Sequence, residues 1–305
     1  MRLTQQQVGE AMGMSRTTVV AIEKGERRIT SEELIKFAHI YRRPLSDLLR
    51  VTIPDSDFVP QFRRKWGDEF EDDPELEPVS YELQQFAEDY VELESIHNIK
   101  KFEKDIPQYR FDRSSPEQSA EEIAFAERNR LGIGDGPISN LRERLEMDVG
   151  LRVFYYDMPS TVSGIFAYSD RLGGCIGINL RHPRDRRHWS LAHEYGHFLT
   201  SRYQTEVTFL KRKRKHAVDE RFADAFAENF LMPATGLNRR FTEISRASSG
   251  VTMAEVCHLA DWYQVSVQAM VLRLENLKRI QLGTWDDLAL SGFKSRDAQR
   301  LLGID

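Results

Sequence analysis

Cysteine is nearly absent: the 305 residues hold two, Cys175 and Cys257. That excludes a disulfide framework and a cysteine zinc cluster. Long apolar runs are missing as well, so no segment is expected to span a membrane. The opening MRLTQQQ has neither a basic n-region nor an apolar h-region, so no secretory signal is expected and a cytoplasmic protein is the reading. Internal repeats and long low-complexity tracts are also lacking. What is present suffices for a folded body, since 40% of the residues are hydrophobic and 30% charged, which excludes global disorder. The length fits about two domains and at most about three.

The net charge of −5 is unevenly spread. Residues 1–50 carry nine Lys/Arg against six Asp/Glu, a net of +3, whereas residues 51–80 carry three against nine, a net of −6. A basic head followed by an acidic, proline-marked stretch reads as a small module, a linker and a larger body. In the head, Val8, Ala11 and Met12 recur at helical spacing up to Gly13. Ser15 is an N-cap for a second helix carrying Val19 and Ile22 up to Gly25. A third helix starts at Thr30 or Ser31, with Glu33 in capping-box position, and Leu45, Leu48 and Leu49 make a short fourth. Residues 51–77 read as an extended connection whose Phe58, Phe62 and Trp66 dock somewhere. Helices are expected over 79–104 and 116–130. From 151 the period shifts to that of strands, in LRVFYYD, SGIFAYS and GGCIGINL, and helical pattern returns at about 185 and runs to the end.

The chemistry is concentrated in His193-Glu194-Tyr195-Gly196-His197, an HExxH. On a helix, residues four apart stack one above the other, so both imidazoles can reach one metal ion, with Glu194 placed to take a proton from its water. A catalytic zinc needs a third protein ligand. Downstream, residues 218–233 form a helix with a core stripe of Phe222, Ala223, Phe226, Ala227 and Phe230. Glu220 and Asp224 share one side of it. One of this pair can ligate the metal while the other accepts the N–H of a ligand histidine.

HEYGH, then ExxAD-x-FA and LMP, resembles the ImmA/IrrE family of metallopeptidases over about residues 135–275. The segment VSVQAMVLRLENL (265–277) is similar to that family's S-x-x-A-x-x-x-R-L. The resemblance implies a zincin-like, cytosolic peptidase, several relatives of which cut DNA-binding repressors to release stress, phage or mobile-element genes. It implies His193, His197 and Glu220 as Zn2+ ligands and Glu194 as general base, with Asp224 supporting a ligand histidine. Many relatives carry a further Glu where this chain has Phe222, which favours Glu220 over Asp224 as the ligand. Tyr203 and His188 are the nearest candidates to steady the oxyanion, a role the pattern leaves open.

Residues 4–25 resemble an Xre/Cro-type helix-turn-helix, in the Thr-Gln start, Ala11, Gly13, Val19, Ile22 and the closing Glu-x-Gly. The resemblance implies double-stranded operator DNA as a partner, read by a homodimer on two half-sites. Arg16, Thr17 and Ala21 would face the major groove, with Gln5, Thr18, Lys24 and Arg27 at the backbone or groove rim. Such modules carry a further helix before this point, so the first helix is expected to be missing. The plain alternative is a helical bundle used for dimerisation. Lys211-Arg212-Lys213-Arg214-Lys215 reads either as a solvated loop or as the site of a nucleic-acid activator. Arg181, Arg184, Arg186 and Arg187 could extend the same surface.

The expected fold is mainly α within an α+β class. A helix-turn-helix bundle over 1–50 precedes an acidic linker over 51–78 and a helical connecting segment over 79–134. A zincin-like peptidase domain with a short β-sheet and a helical C-terminal part follows over 135–280, then a C-terminal extension over 281–305. The functional expectation is a DNA-binding regulator fused to a zinc endopeptidase that cleaves a repressor-type protein or itself. The alternatives are a regulator whose peptidase-like body is a metal-binding sensor or scaffold, and an antitoxin or immunity protein that acts by binding.

Overall fold

The structure, a computed structural model, describes residues 3–41, 45–49, 76–99, 106–202, 207–209, 218–247 and 251–304. The chain divides into two units, Met1–Ser56 and Asp57–Asp305. The docking residues Phe58, Phe62 and Trp66 lie outside the described residues.

In the first unit, α1 (Gln5–Met12) begins with a capping box: the Thr4 hydroxyl accepts from the Gln7 N–H, and the Gln7 side chain accepts from the Thr4 N–H at 2.8 Å. Gly13 closes it with a left-handed φ of 71°. Ser15 then caps α2 (Arg16–Glu23), accepting from the Thr18 N–H. The turn is tight because Gly9 has no side chain: a Cβ there would lie 2.8 Å from the Met14 carbonyl oxygen. Thr30 and Glu33 form the expected reciprocal cap of α3 (Ser31–Tyr41), and α4 (Leu45–Leu49) follows. Val8, Met12, Val19 and Phe37 make the buried core of this unit, one or two from each of α1, α2 and α3.

The second unit opens with α5 (Leu76–Ile96) and α6 (Pro116–Arg130). The helix expected to run to 104 stops at Ile96. Asn98 takes a left-handed φ of 53°, and the Ile99 N–H returns to the Glu94 carbonyl at 2.8 Å. Such a closure ends a helix irrespective of the apolar spacing beyond it. After a short helix α7 (Leu141–Arg144) and a π turn over Leu145–Val149, the chain enters a sheet. Its strands are β1 (Arg152–Tyr156), β2 (Val162–Ser169), β3 (Gly173–Asn179) and β4 (Val207–Phe209), in the order β1-β3-β2-β4. β1 runs parallel to β3, while β2 is antiparallel to both β3 and β4. β4 interrupts the stretch read as helical from 185 onward; three residues are too few to show an alternation.

Strand alternation sends side chains to both faces, and both faces are covered. Tyr156, Ile165, Ala167 and Cys175 cluster with Val79, Leu83 and Ala87 of α5. Val153, Phe166, Ile176 and Ile178 join the main core with Leu191, Tyr195 and Phe198 of α8 (Arg184–Ser201). α9 (Val218–Leu231) lies against α8 and α6 and presents Phe222, Phe226 and Phe230, all fully buried. α10 (Ala234–Ala247), α11 (Met253–Trp262), α12 (Val267–Asn276), α13 (Thr284–Leu290) and α14 (Ser295–Leu301) complete the unit.

Two buried arginines hold the far end of α9. Arg128 donates to the carbonyl oxygens of Gly134, Gly136 and Phe230. Burial pushes its pKa down to about 10, so it remains a cation at neutral pH. Arg273 of α12, 5% exposed, donates to the Asn229 carboxamide oxygen at 2.6 Å and the Met232 carbonyl at 3.2 Å. The RL motif is thus a clamp on the end of α9, and Ser266 of the same motif caps α12. Removing Arg273 strands buried acceptors, so Arg273→Ala should lower the stability of this unit by about 2–3 kcal/mol. Urea unfolding followed by circular dichroism checks this, and an unchanged midpoint would remove the clamp from the account.

Candidate metal centre

α8 is buried nearly all round, which follows from Leu191, Ala192, Tyr195, Phe198 and Leu199 being interleaved with its polar residues. His193 and His197 are 6% and 0% exposed. Their Nε2 atoms lie 3.1 Å apart. Glu220, in the first turn of α9, brings Oε2 to 3.4 Å from His193 Nε2 and Oε1 to 3.3 Å from His197 Nε2. The nearest donor atoms are thus spaced much as ligand atoms around one small ion, whose bonds of about 2.05 Å place them about 3.3 Å apart. The donor set of two imidazoles and a carboxylate therefore fits a small divalent ion in both chemistry and spacing, and among the described residues it is the group that can hold one.

Carboxylates and imidazoles set each other's protonation in this group. Burial pushes the Glu220 carboxyl up, but hydrogen bonds from the two imidazoles outweigh it and hold the group below its ordinary value. Burial pushes His193 down, and the facing Asp224 and Glu220 carboxylates reverse that and raise it. Asp224 Oδ1 lies 2.9 Å from His193 Nδ1. A carboxylate can only accept, so Nδ1 carries a hydrogen, and a metal bound at Nε2 would displace the proton there. Phe222, at the position of the rival ligand, is fully buried and stacks on Phe111 at 4.3 Å between ring centroids.

Several residues that shape this site carry no motif. On β2, Gly164 and Phe166 alternate onto the face that meets α8. The Phe166 ring lies parallel to the His197 imidazole at 6.4 Å. A Cβ on Gly164 would stand 3.1 Å from Glu194 Cγ and Oε1, so the missing side chain is the room the Glu194 carboxylate occupies. On α8 itself, a Cβ on Gly196 would meet Phe226 Cδ1 at 2.9 Å, so this glycine sets how closely α8 and α9 approach. Tyr195 donates to the buried Glu127 of α6, which also accepts from Arg130 at 2.7 Å and Tyr109 at 2.8 Å. A single sequence offers no signal for Gly164 or Glu127, because nothing local relates them to the HExxH.

Residues 146–275 match the IrrE N-terminal-like domain of peptidase family M78, and residues 1–48 match a helix-turn-helix. The chain joins a helix-turn-helix to an IrrE N-terminal-like domain. Among curated proteins it has no significant match. The IrrE-like domain thus contains both imidazoles, Glu194, Glu220 and Asp224, together with the sheet and Arg273.

Of the remaining candidates, Tyr203 and Lys211–Lys215 lie outside the described residues. His188 stands about 140° around the helix from His193, in a cavity that no metal-ligand candidate lines. Arg181 pairs with Asp157 at 3.0 Å. In the helix-turn-helix, Arg16 and Thr17 are exposed in the first turn of α2, Thr18 and Ala21 are half-buried, and Lys24 is exposed. Gln5 donates to Glu23 at 2.8 Å and Arg27 to Glu33 at 2.8 Å, so both are engaged within the module. No helix among the described residues is long and apolar enough to cross a membrane.

Purified without added metal and analysed by plasma emission spectroscopy, the chain should hold about one divalent ion, and His193→Ala should lose it. A metal-free chain that stays so after dialysis against zinc would refute the assignment of a metal centre.

Proposed function

We propose that the chain is a DNA-binding regulator carrying a zinc-dependent endopeptidase, whose substrate is a repressor-type protein or the chain itself, in a stress, phage or mobile-element response. The observation that carries this reading is the grouping of His193, His197 and Glu220 as one set able to hold a metal ion, with Glu194 next to His193 in the chain, inside an M78-type domain. A zinc ion held there supplies Lewis acidity to the scissile carbonyl and a water of lowered pKa, about 7. Glu194 accepts the proton of the attacking water and returns it to the leaving amine. Asp224 accepts from His193 Nδ1–H and fixes that ring's tautomer. Gly164 leaves the Glu194 carboxylate its place beneath the sheet.

The helix-turn-helix delivers this chemistry to a DNA-bound target. Arg16 and Thr17, exposed at the start of α2, are the groups for base edges, with Ala21 and Thr18 behind them and Lys24 on phosphate. Gln5 and Arg27 reach DNA by exchanging their bonds to Glu23 and Glu33. A homodimer on two half-sites follows from how such modules read operators.

Glu194→Gln should retain zinc and fold but abolish cleavage, followed by gel and mass spectrometry on repressor-type proteins and on the chain itself. Retained cleavage would remove Glu194 from the mechanism; retained zinc and DNA regulation with no cleavage even in the parent chain would favour a sensor. Glu220→Ala should weaken zinc retention more than Asp224→Ala, and the reverse order would exchange their roles.

Gly164→Ala should leave the zinc content unchanged yet slow cleavage about two- to tenfold, since a Cβ 3.1 Å from Glu194 obliges that side chain to give by a few tenths of an ångström. Full activity in this variant would refute the role of the gap. In the head, Arg16→Ala should reduce discrimination between operator and random DNA by about 1–3 kcal/mol in a salt-matched binding titration.

A further inference from the structure

The face of α8 turned away from the metal ligands borders a cavity of about 350 Å³. It is walled by the first turns of α8, the α7 segment, Tyr155 of β1 and Gln264. Its size lies within the range of small-molecule sites and exceeds what a bare inorganic ion needs. Two guanidiniums, Arg142 and Arg187, stand over the Tyr155 ring at 5.3 and 5.6 Å from its centroid. Arg142 is balanced by Glu146 at 2.9 Å. Arg184 and Arg187 have no carboxylate partner among the described residues, and both project from the N-terminal turns of an eighteen-residue helix, where the backbone adds to the positive potential.

A helix start with arginines is common; His188 distinguishes this one. It lines the same cavity, is 9% exposed, and its Nε2 is buried without a hydrogen-bond partner among the described residues. The Nε of Arg187 is buried and unpartnered in the same way. Buried polar atoms in folded proteins are almost always satisfied, so two orphans on one wall point to a partner supplied from outside the chain. Burial and the neighbouring Arg184 push the His188 imidazole down to about 4, so it offers a neutral donor or acceptor and adds no charge.

The other wall is of different chemistry. Asn140, Glu143 and Gln264 present amides and a carboxylate, groups that bind hydroxyls and would repel or waste a plain anion. We propose that this cavity binds a small organic phosphate bearing hydroxyl groups, of the class of sugar phosphates and nucleoside monophosphates, with the phosphate on Arg184 and Arg187 and the hydroxyls on Glu143 and Gln264. His188 supplies a hydrogen bond between the two ends. The inference concerns a face of α8 that the peptidase reading does not use, and it stands whether or not the domain cleaves anything.

The test is isothermal titration of the full zinc-loaded chain with ribose 5-phosphate, AMP, inorganic phosphate and ribose at fixed ionic strength. At least one of the two organic phosphates should bind saturably, about tenfold or more tighter than inorganic phosphate or ribose. Arg184→Ala, at an exposed position, should weaken that binding at least about tenfold, while Arg181→Ala, a neighbouring arginine outside the cavity, should leave it unchanged. His188→Phe should weaken it as well, with the thermal midpoint reporting that the fold is intact. The proposal is overturned if neither organic phosphate binds up to about 10 mM, which marks affinity too weak to be a site. It is equally overturned if inorganic phosphate binds as tightly, or if Arg181→Ala and Arg184→Ala act alike.

Discussion

The site depends on how closely two helices can approach. Glu220 has a short side chain, and its two oxygens reach both imidazoles only because α8 and α9 touch backbone to ring at Gly196 and Phe226, where a Cβ would stand 2.9 Å from Cδ1. A metal site tolerates little error in its bond lengths, and a side chain at 196 would push on the buried Phe226 of the helix that carries Glu220. Behind that contact the aromatic ladder of Phe222, Phe226 and Phe230, with Tyr195 across it at 5.7–5.9 Å from two of the rings, fixes rotation as well as distance. Rings packed in this way contribute area and geometry together. The Arg128 and Arg273 clamps then hold the distal end of α9, so the helix bearing Glu220 and Asp224 is pinned at both ends of its buried face.

The opposite side of α8 is positioned by the sheet. Because strand side chains alternate, one strand supplies both an absence and a surface: Gly164 makes room for Glu194, and two residues on, Phe166 lies parallel to His197. The buried Glu127, paired with the exposed Arg130, works on the same helix from α6, and both hold the Tyr195 hydroxyl. What the pair adds is a fixed register, since a tyrosine that slides by one turn would lose both bonds.

The metal-binding chemistry was legible in the sequence because it is local. HEYGH puts two imidazoles four apart within five residues, and Glu220 and Asp224 share a side by a spacing of four on a helix marked by its phenylalanines. The caps at Ser15 and Thr30 were legible for the same reason, each being a bond across three residues. The gap at Gly164, the anchor at Glu127 and the clamp at Arg128 join segments 30 to 102 residues apart, and no local pattern encodes such pairings. The helix end at Ile96 was missed because the apolar spacing continues past the point where Asn98 turns left-handed. β4 was missed because a three-residue strand has no period. His188 was noted as a neighbour of the HExxH, and only the rotation of the helix assigns it to another wall.

The same energetic argument reaches both faces of α8. The helix is buried nearly throughout, yet it carries His188, His193, Glu194 and His197 among its apolar residues. Burying such groups destabilises a fold unless each finds a partner. On one face Glu220 and Asp224 are the partners, in a group able to hold a metal ion. On the other, two arginines and an imidazole nitrogen surround a cavity without an internal partner. A helix carrying leucines in their place would be more stable, so the histidines on both faces cost stability that packing alone does not return.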